Sequence, residues 1–152
     1  MTTHAKTTST YDSVTRWCRT IWSCEAKRGV LLYRHYLIDT KYLGIYLHHL
    51  MASDEDRALH DHPWSFVTIL LTSGYWEWIP WDLDRGLVAP VDRRLWRPRF
   101  SILRRPARYK HRLELAKPCW TLVFRGPRQR EWGFWTARGW LDWKTYGRMF
   151  CD

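Results

Sequence analysis

At 152 residues and 45% hydrophobic content, the chain has the length of one domain built around one core. Twenty-five Lys and Arg against 15 Asp and Glu leave a net charge of +10, a balance that favours anions such as nucleic acid, phosphate esters or carboxylates as ligands. No apolar run approaches the ~18 residues of a membrane helix, no signal-peptide pattern opens the chain, and Cys18, Cys24, Cys119 and Cys151 form neither a disulfide framework nor a zinc knuckle. A cytoplasmic protein with free thiols is expected.

Residues 1–10 are small and polar without periodicity and read as a disordered tail that includes His4. From 12 to 28 the pattern predicts an amphipathic helix. Val14, Trp17, Cys18, Ile21 and Trp22 recur at helical spacing, with Asp12 or Ser13 as cap and Gly29 as stop. From Val30 the period changes to two. Strands are predicted over Val30–Ile38, Tyr42–Met51, Phe66–Leu71, Tyr75–Trp81, Trp96–Leu103, Tyr109–Leu115, Trp120–Phe124 and Glu131–Trp135, with a last segment over Trp140–Phe150. An acidic loop at Ser53–Asp56 and a loop or hairpin over 82–90 separate them, and Pro98 marks its strand as an edge or a bulge. Many short strands with frequent turn signals predict a sandwich or barrel over 30–150.

His60 and His62 are separated by one residue, and on a strand positions two apart share a face. Two imidazoles would then aim at one point, as a metal site requires. His111 follows the turn at Arg105–Tyr109. These residues carry a resemblance to the cupins, the jelly-roll barrel family whose first motif pairs His-x-His with a Glu and a Gly and whose second is Pro-x-Gly-x-x-His. His60 and His62 match the pair, Gly74 the closing glycine, and Pro106 with His111 the second motif. Phe66 or Val67 stands where the motif Glu belongs, and Arg108 replaces the second-motif glycine. The resemblance thus implies a jelly-roll β-barrel following the N-terminal helix that the periodicity predicts, a homodimer, and a three-histidine site at His60, His62 and His111. Such a site can hold Fe(II), Zn(II), Ni(II) or Cu(II). Glu77, Glu114 and Glu131 are the remaining carboxylate candidates, none at the matching position. His48 is a candidate neighbour of the site, and His35 reads as structural.

Arginines crowd two turns, Arg104, Arg105 and Arg108 before His111, and Arg125, Arg128 and Arg130 further on. At a barrel mouth they would grip an anion through their forked donors. Arg104, Arg108, Tyr109 and Arg130 are therefore the expected substrate-binding residues, with Trp64 and Phe66 shaping the wall. Two functions follow. One is a metal-dependent enzyme acting on a small anion by dioxygenase-like or isomerase- or hydrolase-like chemistry. The other is a non-catalytic binding module for a ligand or nucleic acid with a structural or relic metal pocket. Twelve Trp interleaved with basic residues could stack bases, but no nucleic-acid motif accompanies them.

Overall fold

Alternating burial is what builds the core. Along β11 (Cys119–Arg125) every second residue is buried, so Cys119, Thr121, Val123 and Arg125 face inward. The computed structural model describes residues 14–15, 17–22, 29–54, 58–80 and 92–150. The expected tail over 1–10 and the loop over 82–90 lie outside them.

Seven strands form the main antiparallel sheet: β1 (Val14–Thr15), β2 (Cys18–Trp22), β3 (Val30–Asp39), β4 (Gly44–Leu50), β11, β6 (Phe66–Leu70) and β9 (Ile102–Arg105), in that order. A second sheet runs β10 (Arg112–Glu114), β7 (Tyr75–Pro80), β8 (Asp92–Arg97), and a third runs β13 (Gly139–Asp142), β12 (Gly133–Thr136), β5 (Leu59–His60). Leu50, Leu70 and Cys119 of the main sheet pack with Tyr75 of the second, and Leu32, Leu103, Leu113 and Leu115 surround them. The core is therefore an interface between sheets, as in a sandwich.

Two expectations are corrected. The described part of the predicted helix is strand: Cys18–Trp22 pairs antiparallel with β3, Cys18 opposite His35 and Ile21 opposite Leu32. Thr20, Ile21 and Trp22 are poor helix formers that suit a pleated surface. The free edge of β3 offers them a ladder, which outweighs a two-turn apolar pattern. The jelly roll does not close into a hydrogen-bonded barrel among the described residues. Pro63, lacking an N–H, follows the two-residue β5, and Pro98 and Pro106 sit just beyond β8 and β9. The sheets meet instead through side chains and one isolated bridge, His60 opposite His111.

The last segment also divides. After β13 the chain turns into helix α1 (Trp143–Phe150). Asp142 Oδ1 accepts the amides of Lys144 and Thr145, each at 3.1 Å, so it caps the helix start. Tyr146 then stacks on Phe134 at 4.0 Å, laying α1 against β12.

Candidate metal centre

The three histidines reach one point by backbone pairing rather than by sharing one strand. His60 ends β5 and His111 precedes β10. Their main chains exchange both hydrogen bonds, at 2.8 and 3.0 Å, so the two side chains stand on one face. His62 lies beyond β5 in irregular chain, and its amide donates to the Ala107 carbonyl at 3.0 Å. That bond ties it to the turn that delivers His111. The ring centroids lie 4.9 to 5.1 Å apart, and one ligand nitrogen from each residue falls within 4.8 Å of the others.

Glu77 orients the group. It lies on the inward face of β7, with Tyr75 and Ile79, and is fully buried. Its Oε1 is 2.7 Å from His111 Nδ1. Arg105 reaches both carboxylate oxygens through Nη2 at 2.6 Å, and Arg97 Nε donates at 2.7 Å. Burial alone would raise the Glu77 pKa, but the bonds from His111 and Arg105 hold it down at about 2. As a carboxylate it only accepts, so His111 Nδ1–H donates to it and Nε2 is turned toward His62. The two Nε2 atoms are 2.8 Å apart.

The donor chemistry fits a divalent transition metal. Burial, with His111 adding, pushes the His60 pKa down to about 4. Burial, followed by the neighbouring His111, His60, Arg105 and Arg34, drives His62 well below its ordinary value. Both imidazoles are thus neutral near pH 7 and keep a lone pair for metal. Nitrogens ~2.1 Å from one ion and at right angles lie ~3 Å apart, the spacing that His62 and His111 already have. Three neutral imidazoles suit iron, zinc or nickel and leave positions for water or substrate. His60 Nδ1 is 3.7 Å from Asp54 Oδ2, and that carboxylate is fixed by the Leu113 amide at 2.6 Å.

The expected substrate residues divide. Phe66 packs edge-on against His62 at 4.5 Å, and Tyr109 meets His111 edge-on at 5.4 Å beneath the Arg105 guanidinium. Phe66 also lines a concavity of about 530 Å³ with Arg104, Arg105, Arg125 and Phe124. The histidines do not line it, so Phe66 stands between the two. Arg104 is exposed on this rim. Arg108 is exposed beside a second concavity with Arg130 and Gln129. Trp64 lies under Arg125 at 5.3 Å. Arg130 is committed elsewhere: its Nη1 donates to Asp61 at 2.5 Å. Glu114 binds Trp78 and Arg94, and Glu131 pairs with Arg128, so neither reaches the histidines.

Asp61 was not among the sequence candidates. Fully buried between His60 and His62 in sequence, it accepts from Arg130, the Gly133 amide at 2.8 Å, and the indoles of Trp135 and Trp140 at 3.1 Å each. Its only signal was an acidic residue between two histidines. Glu77 gave a different one, a carboxylate in the buried phase of an otherwise apolar strand.

No family model and no curated protein matches the chain. Among solved structures, the chain is similar to the polyketide cyclase RemF from Streptomyces resistomycificus, with 14% identity and a TM-score of 0.51 over 86% of this chain and 83% of that one. It is also similar to a cupin superfamily protein from Desulfitobacterium hafniense, with 11% identity and a TM-score of 0.48 over 63% and 77%. The fold is cupin-like. Within that cupin-like fold, His60, His62 and His111 form a group that could hold a metal ion. No helix among the described residues is long and apolar enough to cross a membrane.

Proposed function

We propose that this cupin-like protein is a metal-dependent enzyme acting on a small anionic molecule, with His60, His62 and His111 as the metal ligands. The observation that carries the reading is the orientation of His111. Its Nδ1 is bound to a buried carboxylate and its Nε2 faces His62 at 2.8 Å, and a metal-ligating histidine usually donates its other nitrogen in this way. A histidine kept only for packing has no need of a buried glutamate already neutralised by two arginines.

Iron(II) bound there would supply oxygen chemistry, whereas zinc would polarise a carbonyl or phosphoryl oxygen or activate water; nickel completes the set that three imidazoles accept. Around it the chain's own groups bind and enclose. Phe66 and Tyr109 wall the centre, and Arg104 with Arg108 brings positive charge to the rim. The net charge of +10 supports an anionic substrate by raising its local concentration.

The test is reconstitution of the purified protein with iron(II), zinc or nickel in parallel. Each form is assayed for oxygen uptake with small carboxylates and thiols, and for isomerisation or hydrolysis of phosphate esters. Turnover with one metal and its loss in His111→Ala supports the reading. Metal binding without turnover in any form leaves a binding module with a structural metal.

A further inference from the structure

Arg105 and Arg125 on the inner face of the main sheet are held by carboxylates, Glu77 and Asp39. Two more arginines, Arg19 and Arg34, stand opposite each other on β2 and β3. Of these Arg34 is the more central. It stands directly opposite His48 on β4, and the same cross-strand row continues through Thr121 on β11 and Leu70 on β6. Directly opposed residues share a face, and Thr121 and Leu70 are buried, so Arg34 projects inward.

Arg34 is fixed in place. Its Nε donates to His48 Nε2 at 3.0 Å, and its guanidinium lies over the Tyr46 ring at 5.3 Å. Tyr46 in turn stacks on His48 at 6.0 Å with 15° between the planes. Tyr46 belongs to the next row, with Val123 and Thr68, one step closer to Phe66 and the His62 ring that Phe66 touches. The guanidinium thus leans toward the histidine end of the interior. His48 is neutral there, because burial first and Arg34 second depress its pKa. No carboxylate among the described residues bonds to Arg34. Arg34 also shares a side-chain hydrogen bond with Tyr36, a neutral partner, and a guanidinium turned inward without a counter-charge is costly.

We propose that Arg34, braced by His48 and Tyr46, is the interior anion site, taking one oxyanion group (carboxylate or phosphate) of the small molecule the protein acts on. The proposal rests on the metal-centre reading for what lies at the other end of that molecule, but the anion site itself does not need the metal. It moves the substrate-gripping role from the rim arginines to a residue in the sheet. A guanidinium fork reads the planar edge of either oxyanion.

The experiment is done on metal-free protein carrying labelled histidine. Imidazole nitrogen resonances of His48 are followed during separate titrations with inorganic phosphate and acetate. A saturable shift is expected with at least one anion, and which one responds assigns phosphate or carboxylate. Arg34→Met should weaken that binding tenfold to about a hundredfold, the range for hydrogen bonds to a charged group. The exposed Arg138→Met should leave it unchanged. Arg34→Gln keeps a donor for His48 without the charge and gives the same loss if the methionine variant does not fold. Absence of a saturable shift in the parent with either anion overturns the proposal, as does unchanged affinity in the folded Arg34 variant. Failure of the histidines to bind metal would leave this titration as it is, so the two readings fail separately.

Discussion

Glu77 Oε1 and His111 Nδ1 lie 2.7 Å apart, and that one hydrogen bond decides which nitrogen of His111 faces His62. Glu77 is thereby a positioning residue. It comes from β7, whereas Phe66 stands on β6 where the cupin motif resemblance would place a carboxylate.

Replacing Glu77 separates positioning from packing. Glu77→Gln retains an acceptor for His111 Nδ1 and should lower zinc affinity by less than tenfold. Glu77→Leu removes the acceptor and should lower it 10- to about 100-fold, the usual cost of losing such a partner. It also strands Arg105, a further loss of ~3 kcal/mol in stability. Competition with a chromophoric chelator gives the affinities, and urea unfolding gives the stability. Equal affinities for the two variants would remove Glu77 from the metal account.

Acid should destabilise the metal-free protein in two stages. His60 has a folded pKa of about 4 against 6.5 in the unfolded chain, so the unfolded state takes up its proton first. Stability is therefore lost as pH falls from 6.5 toward 4, by about 3 kcal/mol at about 1.4 kcal/mol per pH unit. Glu77, at about 2 in the fold against 4.5, contributes stability that is complete above 4.5 and lost as pH falls toward 2. Buried His62 and His48 act in the same direction, so urea midpoints should fall as pH drops from 6.5 to 4, and His60→Gln should make that fall shallower.

Asp61 is predicted to hold β12 and β13 on the histidine segment. Asp61→Ala leaves Arg130 and the Trp135 and Trp140 indoles without their acceptor and should cost 3 kcal/mol or about that. Gly133, whose amide Asp61 accepts, has no room for a side chain: a Cβ there would overlap the Leu141 carbonyl. Gly133→Ala should therefore also unfold at lower urea. Parent-like midpoints for both would mean that β12 and β13 fold independently of the histidine segment.

Phe66→Glu restores a carboxylate where the family motif has one. In the metal-free protein it buries a charge beside His62 and should lower the melting temperature. With zinc it should regain that loss, so the metal-induced rise in melting temperature should exceed the parent's. An equal rise in both would place Phe66 out of reach of the ion.

Period-two alternation made the strands of the core legible, because burial on one face repeats in each of them. The pair His60 and His62 was legible from spacing and His111 from the motif resemblance, and the three do come together, although His62 is not on the strand that the spacing implied. The N-terminal helix was misread because Val14, Trp17, Cys18, Ile21 and Trp22 satisfy a helical repeat over two turns while pairing with β3 decides the outcome. Barrel closure was not legible, since it depends on which strand edges meet across prolines 63, 98 and 106. Glu77 was named as a distant carboxylate candidate, but its bond to His111 was not legible, and Arg34 and Asp61 were missed for the same reason. Each makes a cross-strand or long-range bond, to His111, His48 and Arg130 respectively, that has no trace in local spacing.

The most direct measurement is elemental analysis of purified, untagged protein beside His60→Ala and His111→Ala. The account predicts close to one iron, zinc or nickel ion per chain in the parent and its loss in both variants. Metal retained by the variants, or none in the parent after reconstitution, would contradict it.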